Sequence, residues 1–275
     1  MSFNEVQQRI TGRCRRDFSR WFVRRMSKLC NRFPIISFTF DDFPKSALAD
    51  GGAILRKYGA RGTYYASFGL MNQNSPVGRI FSVEDLEVLV AQGHELGCHT
   101  FAHCHAWNTK PRVFEESILE NGRAMDRLFP GVALKTLAYP IAGPRPGTKR
   151  RAGRHFLCCR GGGQIYNSGW ADLNLLSAFF LEQSVHHPAV IEEMIRRNEE
   201  QNGWLIFATH DVCETPTRFG VTPGFFEKVT QAAAGSRCRV LRVSEACEEA
   251  FGLAGMKRAG EEVLLRPAGP TAPRT

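Results

Sequence analysis

The sequence lacks the features that mark several specialised classes of protein. No apolar run among its 275 residues approaches the ~18 residues that a membrane-spanning helix needs. Its first residues have neither the continuous apolar stretch nor the small-residue cleavage site of a secretory signal. The nine cysteines include no C-x-x-C pair, so we predict a cytoplasmic protein whose cysteines are mostly buried thiols. Hydrophobic residues at 43% and charged residues at 23% exclude a wholly disordered or fibrous chain.

Positive charge is concentrated in the first 32 residues. This segment holds nine Lys or Arg and two acidic residues, a net charge of +7 out of +9 for the whole chain. Its apolar residues recur at close to the helical period: Phe3, Val6, Ile10, Cys14, Phe18, Phe22, Met26 and Leu29. We predict that residues 1–32 form a basic amphipathic helix, which either lies on an anionic membrane surface or packs on the rest of the domain. We expect no nucleic-acid partner, because no recognisable reader motif accompanies this helix.

From residue 33 onward, short apolar runs alternate with segments of helical periodicity. The runs predict strands near residues 35–40, 62–68, 95–99, 134–139, 155–160, 177–181, 204–209 and 239–243. Helices are predicted over 45–58, 82–92, 111–128, 188–202, 223–234 and 244–252. This alternation favours an α/β fold with a parallel sheet, and seven or eight such units suggest a barrel over residues 33–252. The tail over residues 253–275, rich in Ala, Gly, Pro and charge, is predicted to be disordered.

Three predicted strands end in clusters of polar residues that could carry chemistry. The first ends in Thr39-Phe40-Asp41-Asp42, the third leads into His99-Thr100-Phe101-Ala102-His103, and the seventh ends in Thr209-His210-Asp211. Functional residues of such barrels lie where strands end and loops begin, at the carboxyl-terminal face. These clusters are therefore our candidates for a site.

The two histidines four residues apart are the sharpest of these signals. His99 and His103 would lie on one face of a helical turn, with Cβ atoms ~5–6 Å apart, which suits two nitrogen ligands of one divalent metal. One carboxylate from the Asp41-Asp42 pair would complete a three-ligand catalytic site with a position left open for water. A turn or a helix cap before Pro44 would account for at most one of these aspartates.

Four motifs together resemble those of a known family. The order T-F-D-D, H-T-F-A-H, A-Y-P and A-T-H-D is similar to that of the polysaccharide deacetylases of the NodB-homology type, carbohydrate esterase family four. The resemblance covers about residues 33–250. It implies a distorted (β/α)7 barrel and the metal-dependent removal of N- or O-acetyl groups from sugars.

The resemblance also implies roles for individual residues, carried over by motif position. Asp41 would be the general base and His210 the general acid. Asp42, His99 and His103 would hold one divalent metal ion, for which zinc is our first choice, although other first-row ions suit the same donors.

The motif that follows the fourth predicted strand would contribute to substrate binding. The backbone N–H of Ile141 would donate to the oxyanion, and Tyr139 and Pro140 would contact the substrate.

The sequence departs from the family pattern at several positions. Ala138 stands where the family usually has an arginine that orients the catalytic aspartate, and Ile141 stands where an aromatic residue is usual. Ala208 replaces a leucine that lines the acetyl pocket, and Trp170 and Asp172 only loosely resemble the family's aspartate-tryptophan motif.

Arg160 is our candidate for replacing the missing arginine. It ends the apolar strand next to that of Tyr139 in barrel order, and three glycines after it leave room for a long side chain. The alternative is a surface arginine at the start of a loop.

We therefore predict a carbohydrate deacetylase that acts on an acetylated sugar, an oligosaccharide or a lipid-linked sugar, foremost as an N-deacetylase. Two alternatives stay open at this stage. The altered third motif would suit a catalytically silent sugar-binding barrel. Two histidines and a carboxylate also form the facial triad of non-haem iron oxygenases, but that chemistry needs a β-rich scaffold.

Overall fold

A computed structural model describes residue 15 and residues 17–141 and 143–253 of the chain. None of the helices in these ranges is both long and apolar enough to cross a membrane. Residues 1–14 of the predicted amphipathic helix and residues 254–275 of the predicted tail lie outside the described residues.

The described residues contain short strands and helices in alternation. The strands are β1 Met26–Lys28, β2 Ile35–Phe40, β3 Thr63–Ala66, β4 Asn74–Ser75, β5 Gly78–Arg79, β6 Glu95–Cys98, β7 Thr136–Ala138, β8 Cys158–Arg160, β9 Trp170–Asp172, β10 Phe179–Phe180, β11 Trp204–Thr209 and β12 Arg239–Val240. The α-helices are α1 Ala53–Lys57, α2 Val83–Ala91, α3 Pro111–Leu128, α4 Pro146–Ala152, α5 Pro188–Glu200, α6 Pro223–Gly235 and α7 Val243–Ala250. A π-helical stretch, Ala47–Gly52, precedes α1, and 3-10 turns cover Phe68–Leu70 and Leu181–Ser184.

Seven strands form one curled parallel sheet in the order β10-β11-β2-β3-β6-β7-β8, and β12 also pairs with β2. The segment before β10 runs beside β8, where Gly161 N donates to Leu176 O at 2.9 Å, and β10 then pairs with β11. This segment thus joins the two edges of the sheet. The prediction of an α/β fold with a distorted seven-stranded barrel is confirmed.

The core explains why the predicted strands read as continuous apolar runs. Every residue of β2 and of β11 is buried, since helices cover one face of the sheet and the other face lines the barrel interior. Phe38 packs against Phe207 with ring centroids 5.5 Å apart, and Phe40 stacks on Tyr64 at 4.6 Å. The rigid strands that these contacts hold carry the polar residues at their carboxyl ends.

The amino-terminal segment differs from its prediction. Residues 17–21 are helical, but Val23 has a φ of 54°, which ends the helix. Residues 26–28 then form β1, which pairs antiparallel with β9. The prediction of one continuous helix over residues 1–32 is therefore wrong for residues 22–32, because pairing with a distant strand overrides the helical pattern.

Candidate metal and active site

The polar strand ends converge at the carboxyl-terminal edge of the parallel sheet. Asp41 and Asp42 follow β2, His99 follows β6, Arg160 is the last residue of β8, and His210 follows β11. β2 and β11 are adjacent in the sheet, whereas β6 and β8 lie two and four places further along its curled order. The side chains meet because parallel strands end at the same edge.

Asp42, His99 and His103 form a cluster that fits a metal ion. Their nearest potential ligand atoms all lie within 4.8 Å of one another. Asp42 Oδ1 is 3.4 Å from His99 Nε2 and 3.0 Å from His103 Nε2, and the two imidazole centroids are 5.0 Å apart. Two nitrogens and one carboxylate oxygen at this separation are the donor set of a three-ligand catalytic site.

His99 is held in the tautomer that a metal ligand needs. Its Nδ1 donates to the backbone oxygen of Ala138 at 2.9 Å, which leaves the Nε2 lone pair directed at Asp42 and His103. Burial lowers the pKa of His99 to about 4, so the imidazole is neutral at pH 7. A neutral imidazole is the form that binds a metal.

The charges in the cluster favour an ionised Asp42. Burial by itself raises the pKa of Asp42, but the hydrogen bond from His103 and the charges of His99, His103 and His210 lower it well below its usual range. Burial lowers the pKa of His103, yet the hydrogen bond and charge of Asp42 and the charge of Asp41 raise it overall. Asp42 is thus available as an anionic ligand.

The two histidines reach the site from a loop. The predicted helical turn over 99–103 is wrong, because Thr100 and His103 have φ angles of 60° and 48°, which no α-helix contains. The loop is closed by Cys104 N, which donates to Thr100 Oγ1 at 2.9 Å, and by Phe101 N, which donates to Ser117 Oγ at 3.0 Å. The imidazoles converge through this loop geometry.

Asp41 is paired with the arginine that the sequence suggested. Nη2 of Arg160 donates to Asp41 Oδ1, and both residues are buried, with exposed fractions of 1% and 5%. The guanidinium carbon of Arg160 lies 4.9 Å from the ring centroid of Tyr65 and 5.8 Å from that of Phe180. The predicted contact between Arg160 and Asp41 is confirmed, and the alternative of a surface arginine is excluded.

His210 follows β11, which lies on one side of β2 in the sheet, whereas the loop histidines follow β6 on the other side. Its Nδ1 donates to Phe219 O at 3.3 Å, and its ring centroid is 5.3 Å from that of Phe219. It is near enough to Asp42 for its charge to lower the pKa of that carboxyl. The Nδ1 contact leaves Nε2 as the nitrogen that could exchange a proton with a substrate.

The end of β7 agrees with the sequence prediction only in part. Tyr139 is buried, its hydroxyl donates to Asn174 O at 3.2 Å, and its ring is 6.2 Å from that of Phe114. The ring of Tyr139 therefore packs into the core, and its substrate contact stays a prediction. Pro140 is also buried, and its substrate contact stays a prediction. Ile141 is 65% exposed with a φ of 69°, and the role of its N–H stays a prediction.

Glu182 is a site residue that the sequence reasoning missed. It lies in the 3-10 turn directly after β10, and its buried Oε2 has no hydrogen-bond partner among the described residues. Burial and the charges of Asp41 and Asp211 raise the pKa of Glu182 to about 8, although the charge of Arg160 opposes them. The rule that strand ends carry functional groups could have identified it, but Leu181 and Gln183 around it gave no motif.

Comparisons with known proteins agree with this fold and site. The family model described as polysaccharide deacetylase matches residues 28–155, a range that contains both aspartates and both loop histidines. No curated protein sequence matches the chain significantly.

Solved structures of esterase family 4 share the fold at low sequence identity. The Xyl-CE4 domain of a multidomain xylanase from the hindgut metagenome of Trinervitermes trinervoides is 16% identical with a TM-score of 0.57, and the match covers 80% of this chain and 92% of that one. An acetyl xylan esterase from Clostridium thermocellum, solved with a cobalt ion, is 19% identical with a TM-score of 0.53, covering 81% and 93%. A pseudoenzyme of this family from Bacillus anthracis is 11% identical with a TM-score of 0.53, covering 80% and 67%.

Proposed function

We propose that the chain is a metal-dependent hydrolase of acetylated carbohydrates, because the polysaccharide deacetylase family model matches residues 28–155 and this range contains the Asp42, His99 and His103 cluster. The bond that it hydrolyses is foremost the N-acetyl bond of a sugar, an oligosaccharide or a lipid-linked sugar. The observation that carries this proposal is the pairing of two neighbouring aspartates with different partners. Asp42 faces two histidine nitrogens, whereas Asp41 is held by Arg160 and stays outside the ligand cluster.

The residues can divide the hydrolysis of an amide among them. When bound to Asp42, His99 and His103, a divalent ion, for which we propose zinc, would polarise the acetyl carbonyl and acidify a water molecule. Asp41 takes the proton of the attacking water, and the N–H of Ile141 donates to the carbonyl oxygen as negative charge develops on it. His210 gives a proton to the sugar nitrogen as the carbon–nitrogen bond breaks. The products are acetate and an amino sugar.

Two aspartate substitutions test the division of roles. Asp41→Asn keeps the ligand cluster, so we expect unchanged metal content and a kcat lower by about two to four orders of magnitude, as for the loss of a general base. Asp42→Asn and His103→Ala are expected to lose both metal and turnover. Acetate release from chitin oligosaccharides and metal analysis of each purified variant measure these effects, with the exposed Asp50→Asn as the control. Metal loss in Asp41→Asn with retention in Asp42→Asn would reverse the two roles.

A catalytically silent sugar-binding barrel is the second candidate. The observations in its favour are Ala138 and Ala208 at positions where the family has functional side chains. The buried Arg160–Asp41 pair argues against it, because a charged pair that costs desolvation has no use at an idle site. Binding of chitin oligosaccharides without any acetate release would favour the silent barrel. The alternation of helices and strands gives no support to an iron oxygenase.

We also propose that the protein is cytoplasmic and peripheral at an anionic membrane through its amino-terminal segment. Within the described residues, Phe18, Trp21, Phe22 and Met26 are 41–69% exposed, and Arg20, Arg24 and Arg25 lie among them in the sequence. Exposed apolar side chains interspersed with arginine are typical of segments that lie in a membrane interface.

Vesicle sedimentation tests this membrane proposal. We expect binding to vesicles that contain phosphatidylglycerol, and weaker binding as salt rises, since charges are screened over ~10 Å at 0.1 M. Trp21→Ser combined with Phe22→Ser should abolish it, whereas Val113→Ser, another exposed apolar residue, should not. Equal binding by both variants would contradict the proposal.

A further inference from the structure

A cavity of about 260 Å³ is bordered by the loop that follows Arg160, and none of the catalytic or metal-ligating residues proposed above lines it. Its wall includes Arg20, Gly162, Asn167, Ser168, Trp170 and Ser177. The wall is thus built by the amino-terminal segment, by the loop that follows β8 and by the strand β9.

One residue of the cavity wall, Gly162, connects the cavity with the surroundings of the Arg160–Asp41 pair. Gly162 comes two residues after Arg160, and a Cβ on Gly162 would lie 3.2 Å from the ring of Phe180. That ring is in turn 5.8 Å from the Arg160 guanidinium. The ring of Phe180 therefore neighbours both the loop that lines the cavity and the guanidinium of the Arg160–Asp41 pair.

The amino-terminal segment forms part of the rim on this edge of the barrel. Ser19 Oγ donates to Pro144 O at 2.5 Å, in the loop that follows β7. The ring of Phe18 makes an edge contact with Trp107, which lies after the loop histidines, at 6.5 Å between centroids. These contacts place Arg20 at the carboxyl-terminal edge of the sheet, where the site lies.

The positive charge of Arg20 is not neutralised by the protein. No described carboxylate forms an ion pair with Arg20. The acidic residue in the cavity wall, Asp172, is already paired with Lys149 Nζ at 2.6 Å and accepts from Arg25 N at 2.8 Å. An unpaired guanidinium at the edge of a cavity is a ready ligand for an anion.

The glycine loop offers further donors to the same anion. Nη2 of Arg20 lies 3.5 Å from the position that a Cβ of Gly163 would take, so the missing side chain lets the guanidinium approach the backbone. Over the described ranges, the N–H groups of Gly162 and Gly163 have no acceptor, whereas Gly161 N donates to Leu176 O. Free backbone N–H groups beside a guanidinium can donate to the same anion.

We propose that this cavity binds the phosphate group of a phosphorylated acetylated sugar. Arg20 and the N–H groups of Gly162 and Gly163 contact the phosphate oxygens, and the 63% exposed indole of Trp170 offers an apolar face to a sugar ring. The inference rests on the proposed function and narrows its substrate to sugars that carry phosphate, either as soluble sugar phosphates or as lipid-linked sugars.

Calorimetric binding of matched sugars tests the proposal without turnover. N-acetylglucosamine 1-phosphate is expected to bind the wild-type, metal-loaded protein about tenfold or more tightly than N-acetylglucosamine, as for a hydrogen bond to a charged group. Arg20→Ala should remove this preference, Arg20→Lys should restore part of it, and inorganic phosphate should compete. Arg56→Ala removes an exposed arginine without an ion pair among the described residues and should leave the preference intact.

Several outcomes would overturn the proposal. Equal affinity of the wild-type protein for N-acetylglucosamine, its 1-phosphate and the polyprenol-linked phosphate contradicts a phosphate site, and an equal loss in Arg20→Ala and Arg56→Ala indicates an effect of net charge alone. Binding of the same sugar phosphate linked to a polyprenol in neutral vesicles distinguishes soluble sugar phosphates from lipid-linked sugars. A preference for only this form, dependent on Arg20, assigns the site to lipid-linked sugars.

The failure of the proposed function is distinguishable from the failure of this inference. A phosphate preference without acetate release from any sugar contradicts the deacetylase and retains the phosphate site. Acetate release from neutral sugars that Arg20→Ala leaves unchanged retains the deacetylase and contradicts the phosphate site.

Discussion

Four non-glycine residues at the candidate site have a left-handed backbone: Asp42, Thr100, His103 and Ile141, with φ angles of 48–69°. This conformation costs free energy for any L-residue, and most for β-branched side chains such as those of Thr and Ile. Strain of this kind persists only where the surrounding structure imposes it, and it is common where ligands are held. Here it turns two metal-ligand candidates and the proposed oxyanion donor toward one edge of the sheet.

Replacement of Ile141 by glycine tests the strain and the backbone role together. The side chain is 65% exposed, so Ile141→Gly loses little burial while it removes a left-handed β-branched residue. We expect the free energy of unfolding to rise by up to about 1 kcal/mol and acetate release to persist, since glycine keeps the N–H. Ile165→Gly, at an exposed residue without a positive φ, should lower stability slightly. A large loss of activity in Ile141→Gly would contradict a role confined to the backbone.

The Arg160–Asp41 pair leads to a second prediction. Arg160→Ala leaves Asp41 buried without its partner, so we expect a kcat lower by about 100-fold from a misplaced base, with KM and metal content nearly unchanged. Arg160→Lys keeps the charge without the planar fork and should recover only part of the rate. Steady-state kinetics and metal analysis measure this split. Loss of metal in Arg160→Ala would instead assign the arginine to the ligand cluster.

At the scale of elements, the sequence predicted the bounds of those helices and strands that local interactions determine. Helix α3 and strand β11 have the predicted bounds, because the periodicity and Pro111 at the helix start are local signals. Helix α2 also falls within its predicted range and begins after a capping box, in which Ser82 N donates to Asp85 Oδ2 at 2.7 Å. The polar residues at the strand ends could also be predicted as a site, since polar clusters directly after buried strands are unusual.

The features that the sequence analysis missed depend on contacts between distant residues. Strand β1 forms because it pairs with β9, and the local pattern around it is that of a helix. The conformation of the loop that carries His103 is set by Ser117, on another element. The orientation of Tyr139 toward the core and the burial of Glu182 follow from the packing of several elements, which no local spacing encodes.

Arg25 anchors the amino-terminal segment to the barrel, which gives a third prediction. Its guanidinium donates to Gly153 O at 3.1 Å and to Phe156 O and Leu157 O at 3.2 and 2.5 Å. Arg25→Ala leaves these carbonyls without their donor, so we expect faster hydrogen exchange in β1 and β9 and a free energy of unfolding lower by about 1–3 kcal/mol. Arg24→Ala is the control, because the guanidinium of Arg24 lies over the ring of Trp21. Unchanged exchange in β1 would show that strand pairing alone holds the segment.

For the molecule as a whole, two buried titratable groups make the free energy of unfolding depend on pH, one at acid and one at alkaline pH. Burial and the charges of Arg61, Arg56 and Arg242 lower the pKa of His94 to about 4, and His94 Nδ1 accepts from Gly62 N at 2.9 Å. Its folded pKa is below its unfolded value of 6.5, so the unfolded state binds the proton first. The stability that neutral His94 contributes is therefore present above pH 6.5 and is lost as the pH falls toward 4.

The acid limit gives a fourth prediction. His94→Gln retains a polar side chain but does not titrate, so the melting temperature of this variant should fall less steeply than that of the wild type between pH 6.5 and pH 4. The exposed His186→Gln should leave the slope unchanged. Melting curves of the apoprotein at several pH values measure the slopes, and identical slopes for His94→Gln and the wild type would contradict the assignment.

Glu182 has the opposite effect and lowers the stability as the pH rises. Burial raises the pKa of Glu182 from 4.5 to about 8, so the folded state keeps a proton that the unfolded state has already released. The stability that protonated Glu182 contributes is fully present below pH 4.5 and is lost as the pH rises to about 8. Glu182→Gln mimics the protonated form, so its melting temperature relative to the wild type should rise steadily across this window. The exposed Glu192→Gln serves as the control. A constant difference between Glu182→Gln and the wild type from pH 5 to pH 8 would show that Glu182 is already ionised beside Arg160.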